Sequence, residues 1–355
     1  MSFQAAIIYT SRDGCLTKYF VYISGEHIDV AQAEVDALVR LLKLDDISWR
    51  DRIGLIDSPS NPVPFLLERA ALVKEAGIVY TETTDPDALE TNLSEDVLKN
   101  SIRSTETYSV RTISVSKKNK FRDRQEIESR LGAHIKQVTH AGVSLDNPQS
   151  RILVFLFPDS VLVCKSYASQ LRPSLRNRNP GRKPFFHPSM MNATLARVMC
   201  NLAGVMPGEI MLDPFCGGGG ILCEASLLGA KTVGIDLNWR LLSGGVENLT
   251  EIGNNHTFIQ GDVRNIPIRE CDCIVTDPPY GRASSTRGAH AVRLVESLLG
   301  NIDSILRRRN ESLCICGSSK MNIQNLVRNS GLVVGQMLRI KVHTGLVREI
   351  LTVGF

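Results

Sequence analysis

The sequence predicts an α/β protein whose larger part, from about residue 184 to the end, is a mostly parallel, doubly wound sheet. Three observations carry that expectation. Short apolar runs end repeatedly in an aspartate, at Ile210 to Asp213, Lys231 to Asp236 and Cys273 to Asp277. Segments of helical length separate these runs, an alternation that suits parallel strands joined by crossover helices. The first run opens into Gly217-Gly218-Gly219-Gly220 and then a helical stretch closed by Gly229. Strand, glycine turn and helix in that order let a ligand approach the backbone and the unpaired N–H groups of a helix start.

Before residue 184 the chain reads as a smaller α+β assembly. Alternating strands at Ala5 to Tyr9 and Tyr19 to Ile23 precede an amphipathic helix from Val30 to Leu42. The stretch Asp57-Ser58-Pro59-Ser60-Asn61-Pro62-Val63-Pro64 marks a boundary, so residues 1–60 form one region. Residues 61–166 hold a helix from Phe65 to Ala76 and a strand from Gly77 to Thr81. A strand from Thr107 to Val115, a helix from Asp123 to Leu131 and a hairpin from Arg151 to Lys165 complete them. The longest apolar candidate, Ile152 to Cys164, is broken by Pro158-Asp159 and falls short of a membrane span, so no membrane partner is expected.

Residues 167–183 read as a basic linker leading into the sheet domain at 184–355. No Asp or Glu occurs from Ser160 to Gly208, while Lys165, Arg172, Arg176, Arg178, Arg182 and Lys183 do. A second cluster is Lys117, Lys118, Lys120, Arg122 and Arg124. The net charge of +4 is modest, but an acid-free stretch between two domains suits contact with nucleic-acid phosphates.

The strand ends define a candidate site, because ligands of open α/β sheets sit at the carboxyl ends of strands. Asp213 and Pro214 precede the turn, and Gly217 and Gly219 let the backbone close on a ligand. Asp236 is placed to accept ribose hydroxyls, and Asp262-Val263 to meet an adenine amine. A phosphate loop is excluded, since Gly220 is followed by Ile221-Leu222 and not by Lys and Ser or Thr. A dinucleotide site would leave Asp213 without a role, whereas a carboxylate there favours a cationic ligand. These features point to S-adenosylmethionine. Downstream, Asp277-Pro278-Pro279-Tyr280 joins a carboxylate, a proline carbonyl and an aromatic ring. Asp277 and the Pro278 carbonyl can accept both hydrogens of a planar amine while Tyr280 stacks on the ring that carries it.

D-P-F-C-G-G-G-G-I-L-C-E-A and D-P-P-Y-G resemble the first and fourth motifs of Rossmann-fold methyltransferases that act on nucleic-acid amines. Arg182 to Met191, with Leu195-Ala196-Arg197, resembles the entry helix of the archaeal tRNA guanine-N2 methyltransferases. Val143 to Pro148 and the run Arg151 to Lys165 resemble the end of a THUMP domain. The resemblance implies a Rossmann-like class I methyltransferase domain after a ferredoxin-like region (1–60) and a THUMP RNA-binding domain (61–166). It also implies methylation of guanosine N2 in tRNA at position ten, giving mono- or dimethylguanosine. Gly218 stands where that family usually has Thr, and Gly345 where Ser is common. An adenine-N6 methyltransferase and a non-catalytic RNA scaffold are the alternatives, the latter opposed by the intact Asp213, Asp236, Asp262 and Asp277.

A chain of 355 residues with 43% hydrophobic content can fill two or more packed domains. Met1 to Gly14 lacks the basic start and apolar core of a signal peptide. Nine cysteines without disulfide-like spacing suit a reducing, cytoplasmic setting. Cys271-x-Cys273 and Cys314-x-Cys316 are spaced too closely for usual zinc sites and read as buried pairs sharing one strand face, so no metal is expected.

Overall fold

The computed structural model describes residues 16–115, 123–167, 175–253, 255–280, 288–307, 312–343 and 345–354. The strand expected at Ala5 to Tyr9, the basic residues Lys117, Lys118, Lys120 and Arg122, and Arg172 lie outside the described residues. The chain divides into two compact units. One comprises residues 1–28, 42–68 and 73–173, the other residues 29–41, 69–72 and 174–355.

The first unit is built on one sheet. Its strands are β1 (Thr17–Ile23), β2 (Ser48–Arg50), β3 (Ile53–Ser58), β4 (Val73–Thr83), β5 (Thr107–Ser114), β6 (Gly142–Val143), β7 (Ser150–Leu156) and β8 (Val161–Ser166), in the order β2-β3-β1-β4-β8-β7-β5-β6. The hairpin expected across Pro158-Asp159 is β7 paired with β8, Leu156 facing Val161. The apolar run within each strand, Ile152 to Leu156 and Val161 to Cys164, follows from burial on both faces. Ile152, Val154 and Val163 enter one core with Leu98, Leu131 and Ile135, while Leu153, Phe155 and Leu162 enter another with Phe20 and Ile53.

Two boundaries differ from the sequence expectation. The helix expected from Phe65 to Ala76 spans Val63–Arg69, because Val73, Glu75 and Ala76 pair with β1 and start β4 early. The helix expected to stop at Leu131 continues to Thr139, carried by the same apolar stripe through Ile135 and closed by left-handed His140.

The second unit contains β9 (Ile210–Asp213), β10 (Lys231–Asp236), β11 (His256–Gln260), β12 (Cys273–Thr276), β13 (Leu313–Ser318), β14 (Val333–His343) and β15 (Leu346–Gly354), ordered β11-β10-β9-β12-β13-β15-β14. The first five strands run parallel. β15 lies antiparallel to both β13 and β14. The winding reverses at β9, whose neighbours are β10 and β12, and this is where a crevice opens in doubly wound sheets. Helices Ala193–Leu202, Gly220–Leu227 and Trp239–Leu249 supply one apolar layer, and Gly288–Ile305 with Ile323–Asn329 the other.

Helix Ile28–Leu41, counted from sequence with the N-terminal region, packs in the second unit. Val30, Ala33 and Ala37 share the core of Leu195, Met199 and Leu202. The buried Glu34 accepts hydrogen bonds from Ala71 N (2.8 Å), Leu72 N (2.9 Å) and Asn201 Nδ2 (2.7 Å), and Arg69 Nε donates to Asn201 Oδ1 (3.0 Å). Burial raises the Glu34 carboxyl, and these donors pull it back down. Polar matching of this kind fixes one position for the helix, since a slipped helix would leave Glu34 unpaired.

The cysteine pairs also divide. Cys314 and Cys316 face one core together, but Cys271 precedes β12 and enters the opposite core from Cys273. The shared-face expectation therefore holds only for the β13 pair. Among the described residues no group of three or more His, Cys, Asp or Glu could hold a metal ion.

Candidate active site

β9 delivers Asp213 to the winding reversal, where it is 1% exposed. Its Oδ1 accepts from Phe215 N (3.1 Å) and from Thr276 Oγ1 (2.7 Å) at the end of β12. Burial pushes the Asp213 carboxyl up to about 7, against those two hydrogen bonds, and the nearby Asp277 and Asp236 push the same way. A desolvated carboxylate among others is an incomplete electrostatic arrangement that a cation would complete.

The turn after Asp213 runs through buried Pro214 to Gly217 (φ 50°) and Gly219 (φ 75°), left-handed positions that suit glycine. Asp236, at the end of β10, braces it. Its Oδ2 accepts from Gly217 N (3.0 Å) and its Oδ1 from Asn238 N (2.8 Å). Burial raises this carboxyl too, with the two amides and His187 opposing.

Phe185 to Met191 lies over the turn. A Cβ on Gly218 would stand 2.9 Å from Met190 Sδ and 3.3 Å from the Phe185 ring. The space that the family's usual threonine would need is therefore filled from outside the turn. Asn248, which the motifs do not single out, ties the two segments together: it accepts from Phe185 N (2.9 Å) and donates to Gly218 O (3.0 Å).

Asp262 starts a short 3-10 turn, accepting from Arg264 N (2.9 Å), and its carboxylate also meets the Arg264 guanidinium (3.0 and 3.1 Å to Nε). Val263 is 4% exposed and packs with Leu212, Ile235 and Ile274. Its side chain belongs to the core, so only its backbone can meet a ligand.

Asp277 follows β12, with Pro278 buried behind it. The Tyr280 hydroxyl donates to Asp277 Oδ1 and lies 3.5 Å from Cys316 Sγ. Arg348 Nη2 stands 3.6 Å from Asp277 Oδ2. Burial raises the Asp277 carboxyl to about 6, the Arg348 charge opposing. The sequence singled out Asp277, Pro278 and Tyr280 but not Arg348 or Cys316.

The basic candidates separate on inspection. Arg176 and Arg182 are exposed, and Lys183 is partly so. Arg178, expected to contact phosphate, instead gives its Nε to buried Glu224 Oε1 (2.8 Å), while Arg197 Nε holds Oε2 of the same carboxylate (2.9 Å). Its guanidinium is engaged inside the protein, sharing the one carboxylate with Arg197. Lys165 Nζ donates to the Ser101 carbonyl and lies 5.7 Å from the Tyr167 ring; burial lowers its pKa. Both side chains are engaged within their own unit.

Sheet order, glycine turn and acidic strand ends together define an α/β methyltransferase. The family described as "RMKL-like, methyltransferase domain" matches residues 180–350, and a DNA methylase family matches residues 21–246. The tRNA (guanine(10)-N2)-dimethyltransferase of Methanothermobacter thermautotrophicus is 31% identical over 338 residues, covering 93% of this chain and 97% of the relative. Its namesake from Methanocaldococcus jannaschii is 27% identical over 354 residues, covering 92% and 97%. The crystal structure of TrmN from Thermus thermophilus has the same fold, with a TM-score of 0.57 at 17% identity over 95% of this chain and 99% of that one. The chain belongs to the tRNA guanine-N2 methyltransferase family of these archaeal relatives.

Proposed function

We propose that this protein transfers a methyl group from S-adenosylmethionine to the exocyclic N2 of a guanosine in tRNA, at position ten as in the relatives' name, giving mono- or dimethylguanosine. The observation that carries the reading is Asp277, its side chain only 12% exposed, set after β12 near the cation-seeking Asp213. Asp213 and Asp236 would hold the cofactor with the backbone at Gly217 and Gly219, and Asp262 with the Val263 backbone would meet its adenine. Bound there, the cofactor supplies an electrophilic methyl on a sulfonium.

Asp277 and the Pro278 carbonyl accept the two N–H bonds of the guanine amine. Its lone pair, otherwise delocalised into the ring, is thereby directed at the methyl group. As the nitrogen becomes cationic, the Asp277 carboxylate stabilises it and would take the proton that the methylated amine sheds, the sulfonium being left as a neutral thioether. Tyr280 leaves the Asp277 carboxylate and stacks on the flipped base. Positioning accounts for much of the remaining acceleration.

Holding the tRNA falls to the first unit, read as a ferredoxin-like region and a THUMP domain on one sheet, and to the linker, where the exposed Arg176 and Arg182 are candidates for phosphate contact. The eight described cysteines are free and buried, as suits a reducing cytoplasm. Incubating the full chain with unmodified tRNA transcripts and labelled S-adenosylmethionine, followed by nucleoside mass spectrometry, tests the reading. N2-methylguanosine supports it; N6-methyladenosine or no product overturns it. Neutralising Arg176 and Arg182 together should reduce the log–log salt slope of tRNA binding by roughly one to two, measured by filter binding.

A further inference from the structure

We propose that Arg348 is a positioning residue of the methyl-transfer site, keeping Asp277 in the charged form that accepts the amine. The inference rests on the reading that Asp277 is that acceptor. Arg348 lies on β15, opposite Ser318 of β13, and its side chain reaches Asp277 at the end of β12. The two side chains are 15% and 12% exposed. Four groups bear on the Asp277 carboxylate: Tyr280 from its own loop, Cys316 from β13, Arg348 from β15 and the Asp213 charge from β9. Of these Arg348 alone is cationic.

Two features separate this arrangement from a structural salt bridge. The nearest approach of the two groups is 3.6 Å, beyond hydrogen-bonding distance. A guanidinium fork would occupy the oxygen lone pairs that the amine needs. A longer contact supplies positive charge while leaving them available. Second, Arg348 Nε is buried with no hydrogen-bond partner among the described residues. An unsatisfied buried donor costs stability, and an apolar strand residue there would avoid that cost. The Arg348 guanidinium also lies 5.9 Å from the Tyr280 ring centre, so its charge bears on the residue that stacks the base.

Charge removal has a defined signature. Without Arg348 the Asp277 carboxyl rises further, and the protonated form, which cannot accept both the amine and its proton, persists to higher pH. Single-turnover methylation of tRNA by the full chain, at saturating S-adenosylmethionine from pH 5.5 to 9, would be compared for wild type, Arg348→Gln and Arg348→Lys. Arg348→Gln should move the acid limb upward by about one pH unit, losing about tenfold in rate below the limb and recovering most of it near pH 8.5. Arg348→Lys should return the limb close to wild type. Cofactor affinity by calorimetry should be unchanged in both, which also reports that the variants are folded. An acid limb that stays in place, or a lysine variant no better than glutamine, overturns the proposal. Near-normal turnover in Asp277→Asn would instead remove the reading on which it rests.

Discussion

Asp213 is a fully buried carboxylate and Asp277 a largely buried one, yet their removal should have different consequences. Asp277→Asn keeps the shape but loses the charge that stabilises the developing cation, so turnover should fall on the order of a hundredfold. Cofactor affinity, measured by calorimetry, should hardly change. Asp213→Asn should weaken cofactor binding and stabilise the empty protein. The folded carboxyl titrates near 7 against an ordinary value of 3.8, so the folded state binds more protons than the unfolded chain between those limits. Stability therefore falls as pH rises from about 4 to 7, and the penalty is complete above 7. Removing the charge should restore about 2–4 kcal/mol at pH 8, and melting curves from pH 4 to 8 should show that part of the pH dependence flattened. These carboxylates were legible in the sequence because each ends an apolar run. Arg348 was not, since only strand pairing brings β15 across β13 toward Asp277.

Between strand and helix, the glycine turn shows how neighbouring elements adjust to a local departure. Gly218 leaves room that Met190 and Phe185 fill. Restoring the family's residue alone should therefore fail. Gly218→Thr should weaken cofactor binding, and adding Met190→Ala should recover part of the loss, with a coupling of about 0.5–3 kcal/mol in a double-mutant cycle. Additive losses would show that Met190 does not set the turn. Sequence spacing revealed the turn and its helix, and resemblance singled out Arg182 to Met191, but nothing local marks Met190 as the partner of Gly218. The same limit applies to Arg178, whose basic surroundings suggested phosphate until Glu224, one helix away, was seen to hold it. Element boundaries were misread where pairing overrode local preference, as at Val73 to Ala76.

For the whole molecule, the aspartate-ended strands made the doubly wound sheet legible, whereas the division into units depends on contacts remote in sequence. A fragment starting at residue 174 would contain every proposed cofactor ligand but lack helix Ile28–Leu41 and Arg69 to Leu72, which belong to the same unit. It would expose the core around Leu195 and Met199 and leave Asn201 without Glu34 and Arg69. Such a fragment should show no cooperative melt by circular dichroism, and co-expression with residues 1–173 should restore one; a sharp transition from the fragment alone would refute this. The interleaving also bears on synthesis. Helix Ile28–Leu41 leaves the ribosome roughly 150 residues before its partner helix Ala193–Leu202, a wait of about 8–30 s at typical elongation rates. Throughout that interval Val30, Ala33 and Ala37 lack the surface of Leu195, Met199 and Leu202 that shares their core. The nascent chain thus presents a defined apolar stripe for a chaperone to recognise, and faster translation of the intervening region should improve the yield of soluble protein.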